Sequence, residues 1–151
     1  MLDTVFQYRT LIGKCELGCG LDWDEIELVG RIEHAFASER HDGRKFRRQM
    51  VEMDAVLRGD QINDAVTIVE LGPGGLVCRH APFIARGEQV EIVIEDGEYC
   101  YRFRAQGKWL RDDGDDYKVG LQFIGMPVRL HKVALSKHEL DVVDRMLATA
   151  A

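Results

Sequence analysis

Two hydrophobic periods divide the chain. Up to about residue 40 the apolar positions fall at helical spacing. Ile26, Val29, Ile32 and Phe36 share one stripe, broken only by Glu33. Asp22 precedes the stripe and Glu25 follows three residues later, the pattern of a capping box, so the spacing predicts a helix over about 23–38. Gly18, Cys19 and Gly20 form the turn ahead of it. From Met50 the period falls to two. Met53, Ala55 and Leu57 alternate with Asp54, Val56 and Arg58, and Val90, Ile92 and Ile94 alternate with Glu91, Val93 and Glu95. Tyr99, Tyr101, Phe103 and Ala105 face opposite to Cys100, Arg102, Arg104 and Gln106, and Val119, Leu121 and Phe123 alternate once more. By the same parity Trp109 is predicted to face the core. Turn chemistry separates these runs at Gly72-Pro73-Gly74-Gly75, at Asp96-Gly97 and at Asp112–Asp116. About six strands so arranged predict an antiparallel barrel or sandwich. A second capping box, Ser136 to Glu139, opens a C-terminal helix striped by Leu140, Val143, Met146 and Leu147.

The fold class expected is therefore mainly β with flanking helices. The boundaries read as a helical N-terminal extension over 1–39, a barrel over 40–127 and a C-terminal helix over 128–151, packed on the barrel. A chain of 151 residues suits this single compact unit. Trp23, Ile26, Val29, Ile32 and Phe36 give the first helix a face that must be buried on the barrel or on a second copy, which makes a homodimer one expectation.

Charge narrows the function classes. The formal net charge is −6, which disfavours broad electrostatic binding to DNA or RNA. No run approaches about 18 apolar residues, so no membrane insertion is expected. The N-terminus has neither the basic start nor the apolar run of a signal peptide, and a cytoplasmic location is expected. There Cys15, Cys19, Cys78 and Cys100 are read as free thiols, since no converging third and fourth metal ligand accompanies them. No nucleophile, base and orienter assemble from the sequence, so the chain is read as a binding module without enzymatic activity and without a cofactor.

One segment runs against the acidic balance. Arg40, Arg44, Lys45, Arg47 and Arg48 crowd the junction between the helical region and the first strand. Such a cluster can be a solvated boundary. It can also serve an anionic purine ligand, because a guanidinium stacks on a base and its fork grips phosphate oxygens or guanine O6 and N7.

Arg44-Lys45-Phe46-Arg47-Arg48 resembles the RxxxR motif of PilZ domains, and Arg40 with Arg44 offers a second register. Glu70-Leu71-Gly72-Pro73-Gly74-Gly75 resembles the family's second motif, an Asp or Asn followed by Ser and then Gly. Tyr117 to Ile124 resembles its late barrel strand. The likeness covers about residues 40 to 125. It implies a six-stranded antiparallel PilZ-type barrel and a cyclic di-GMP receptor that changes conformation or partner binding in motility, pilus or biofilm control in bacteria. It implies ligand contacts at Arg44, Arg47, Arg48, Glu70, Gly72 and Gly75. Gly75 is expected to need positive φ or close ligand approach. Gly72 stands where serine is usual and Glu70 where Asp or Asn is usual; restoring serine at Gly72 is expected to tighten binding or leave it unchanged. The alternative is a PilZ-like adaptor that binds a downstream protein and no nucleotide.

Overall fold

In a computed structural model the described residues are 1–37, 45–132 and 137–150. Two helices, α1 (Leu2–Glu16) and α2 (Trp23–Ala35), precede six strands: β1 (Gln49–Arg58), β2 (Asn63–Gly72), β3 (Gly75–Ala81), β4 (Gln89–Asp96), β5 (Tyr99–Asp112) and β6 (Tyr117–His131). A last helix, α3 (Lys137–Ala150), follows. All strand pairs are antiparallel, and the sheet closes in the order β1-β2-β3-β6-β5-β4. Closure is made by Val56, Leu57 and Arg58 against Val93, Ile92 and Glu91. Joining the first and fourth strands removes the edges on which another chain could pair.

The alternating residues fill the barrel as their period requires. Leu57, Ile68, Leu76, Ile92 and Leu121 are fully buried, and Phe103 stacks on Phe123 with ring centroids 4.8 Å apart. Asp96 pairs with Tyr99 across a two-residue turn in which Gly97 takes φ +58°, a left-handed conformation that favours glycine. The acidic turn before β6 is held by side chains of β3, Arg79 on Asp113 at 3.0 Å and His80 on Asp116 at 3.2 Å. The last strand runs to His131, past the boundary expected at 127.

The extension departs from expectation. The capping box forms: Asp22 Oδ1 accepts from the Glu25 amide at 2.8 Å, and Glu25 Oε1 accepts from the Asp22 amide at 3.1 Å. Yet α2 ends at Ala35, short of the 38 expected. It packs on α1, where Tyr8, Ile32 and Phe36 form a small cluster with Ile12, Leu28, Val29 and Phe46. The reason is that α1 already occupies the barrel surface. Leu2 and Val5 join the barrel core, and a Cβ on Gly13 would lie 3.1 Å from the Met126 Cα, so α1 lies close against β6. Trp23 stays 85% exposed and Ile26 48% exposed. At the other end, α3 is tied to the barrel by Asp144, which pairs with Arg102 of β5. Ser136 of the second capping box lies outside the described residues. None of the described helices is long and apolar enough to cross a membrane.

Candidate functional site

The site grows from a place where three backbones crowd together. After α2, Ala37 bridges Phe46, and the Arg47 amide donates to the Phe36 carbonyl at 2.9 Å. These bonds lay residues 45–48 against the turn between β2 and β3. Glycines permit the approach. A Cβ on Gly72 would lie 2.9 Å from the Arg47 carbonyl oxygen and 3.3 Å from Arg48 Cγ. A Cβ on Gly75 would lie 2.1 Å from the Leu121 carbonyl oxygen, inside the β3–β6 pairing. Gly75 has no positive φ, which corrects that half of the expectation, and the β6 backbone stands where its side chain would be, so strand packing also demands glycine here. The Gly74 carbonyl accepts from the Phe123 amide at 3.0 Å and fixes the turn tip against β6.

Above this junction opens a cleft of about 510 Å³, within the range of small-molecule sites. Its walls come from four parts of the chain. Lys45, Phe46 and Arg48 come from the segment before β1, and Gly72, Gly74 and Gly75 from the β2–β3 turn. Lys108, Trp109, Gln122 and Phe123 come from β5 and β6, while Tyr8 and Arg9 come from α1. Four of these side chains are cationic and none of the described lining is acidic, in a chain of net charge −6.

Trp109 is the main correction to the strand reading. Strict alternation would turn it inward, but the β5–β6 register shifts between Gly107 and Trp109. The extra residue reverses the parity, so Leu110 packs on the core and Trp109 faces the cleft, half-buried. Its indole lies over Gly120, where a Cβ would sit 2.1 Å from Nε1, and the Arg111 guanidinium lies 5.2 Å from the ring. A flat aromatic is thereby fixed in a cationic wall.

Behind the cleft one carboxylate ties the pieces together. Glu33 of α2 accepts from the Tyr8 hydroxyl at 3.0 Å and pairs with Lys45 Nζ at 3.2 Å. Burial, and then the hydrogen bond and charge of Glu33, push the Tyr8 phenol well above its ordinary range. The Tyr8 ring meets Phe46 edge-on at 5.4 Å, so the segment before β1 is braced by both helices.

Of the residues singled out in the sequence, Arg48, Gly72 and Gly75 converge on the cleft. Arg44 lies outside the described residues, as do Arg40 and Gly43. Arg47 turns away: its Nη2 donates to the Ala35 carbonyl at 2.8 Å and its guanidinium lies 5.9 Å from the Phe36 ring. Glu70 is half-buried opposite Met50 on β2 and does not line the cleft. Tyr8, Arg9, Lys45, Lys108 and Trp109 were not among the expected site residues. Lys45 was legible as part of the basic cluster; α1 carried no signal that it reaches the site. No protein-family model matches the chain, and no curated protein matches it.

Proposed function

We propose that this protein is a cyclic di-GMP receptor of PilZ type, binding the nucleotide in the cleft between the barrel and the segment that precedes it. One observation carries the reading: Arg48, Lys45 and Lys108 share a cleft with Trp109 and a glycine turn, free of acidic lining among the described residues. A cyclic dinucleotide needs cations for its phosphates and flat faces for its guanines, and this wall offers both. The resemblance of Arg44–Arg48 and Glu70–Gly75 to the two PilZ motifs supports the same ligand, with Arg44 as a further phosphate or guanine contact. Its output is a change in conformation or partner binding, and the expected setting is motility, pilus or biofilm control.

The test uses the indole. The chain has two tryptophans, Trp23 at 85% exposure and Trp109 in the cleft. In a Trp23→Phe variant the remaining emission reports the cleft. Cyclic di-GMP quenches or shifts it saturably, and GMP does so far less. A flat titration removes the nucleotide from the account. The exposed Trp23 with Ile26 and Leu17 favours a second reading, an adaptor that docks a partner protein there without nucleotide. It predicts that flat titration and a partner contact abolished by Trp23→Ala.

A further inference from the structure

The N-terminal helix contributes a residue to the cleft that neither PilZ-like motif contains. Arg9 lies on α1, is 7% exposed, and lines the cleft together with Lys45, Arg48, Lys108 and Trp109. Its own partners are few for a buried cation. One Nη2 hydrogen bond goes to the Gly125 carbonyl at 2.9 Å. The carboxylate facing it is Glu16 at 3.6 Å, whose side chain is 52% exposed and therefore screened. The Nε–H is sealed from solvent and has no hydrogen-bond partner. A buried guanidinium with a weak counter-charge and an unmet donor is unfavourable in a folded chain, and such groups call for a functional explanation. An anion in the cleft supplies the counter-charge that the screened Glu16 gives only weakly.

We infer that Arg9 is an anion-contacting residue of this cleft, recruited from α1, and that it recognises a phosphate group of the bound ligand. The inference rests on the nucleotide-binding reading, and adds that the helical extension is part of the site. Its consequence is a physical link from ligand to helices. Arg9 is held against the β6 bend at Gly125, its neighbour Tyr8 holds Glu33 of α2, and Glu33 holds Lys45. A phosphate that draws on Arg9 and Lys45 together acts on both helices at once, which gives the module an output through its extension.

The experiment compares Arg9→Met and Arg9→Lys with the wild-type full chain, measuring the melting temperature with and without cyclic di-GMP and the affinity by calorimetry. Methionine keeps the bulk and removes the buried charge. The expected result is a ligand-free melting temperature equal to wild type or higher, with affinity roughly ten- to a hundredfold weaker, as for loss of one charge-assisted phosphate contact. Lysine keeps the charge and loses the fork, so its affinity falls between the two and it serves if the methionine variant does not fold. A purely structural Arg9 gives the reverse: a lowered ligand-free melting temperature with the wild-type affinity retained in whichever variant folds, and that result overturns the inference while sparing the nucleotide reading. Wild-type protein that binds no cyclic di-GMP overturns both.

Discussion

Gly72→Ser gives the sharpest contest between motif and geometry. By resemblance, serine belongs at this position and should tighten binding or leave it unchanged. In the structure a Cβ at Gly72 stands 2.9 Å from the Arg47 carbonyl oxygen, closer than side-chain carbons come to such atoms, and 3.3 Å from Arg48 Cγ. The obstacle is backbone, pinned by the bond from the Arg47 amide to the Phe36 carbonyl, so it has no rotamer with which to yield. Overpacking of this kind costs about 1–3 kcal/mol. For a chain of this length that lowers the melting temperature by about 2–12 °C. Pushing residues 47–48 off the turn also moves Arg48 in the cleft. Forfeiting a charge-assisted contact of about 1.5–3 kcal/mol weakens cyclic di-GMP roughly tenfold or more. Thermal unfolding followed by circular dichroism, with a parallel ligand titration, checks both effects. Gly72→Ala is the control: because the Cβ is the cause, alanine should cost as much as serine. A Gly72→Ser variant that melts at the wild-type temperature and binds more tightly would refute the close-packing argument.

Three further outcomes follow from the same structure. Phe103→Ala, which empties a 1% exposed site stacked on Phe123, should cost about 3–5 kcal/mol and show as a lowered denaturant midpoint. Thiol labelling of the native protein should be fast at the exposed Cys15 and Cys19 and absent at Cys78, where burial pushes the thiol up to about 12. Because the Tyr8 phenol is raised in the folded state, chiefly by burial, its contribution is fully present below about pH 10 and lost as pH rises above it. Alkaline titration should therefore weaken the α1–α2 packing, and Tyr8→Phe should remove that part of the pH dependence.

The barrel was legible because its signal is local. Alternation along β4 and β5, with Gly97 at their turn, sets strand identity and register without knowledge of the rest. The bulge before Trp109 was not legible, since an inserted residue shifts parity without changing composition, and it moved a core assignment into the cleft. Of the α2 stripe, Ile32 and Phe36 are covered while Trp23 and Ile26 stay exposed, and the cover comes from α1, whose close approach to β6 at Gly13 and Met126 the helical period does not reveal. Within the site, Arg48, Gly72 and Gly75 could be named because they share two short segments. Arg9 and Lys108 could not, because long-range packing alone brings them there. Arg47 shows the limit of a motif: four residues of spacing do not say which arginine turns toward the helix.

The central claim is that the cationic cleft is a cyclic di-GMP site, and isothermal titration calorimetry of the purified full chain tests it most directly. At about 100 μM protein, where binding as weak as about −5.5 kcal/mol is still visible, the account predicts a saturable heat with cyclic di-GMP. It predicts a loss of roughly ten- to a hundredfold in affinity for Arg48→Ala. No heat with the wild-type protein, or an affinity unchanged by Arg48→Ala, contradicts it.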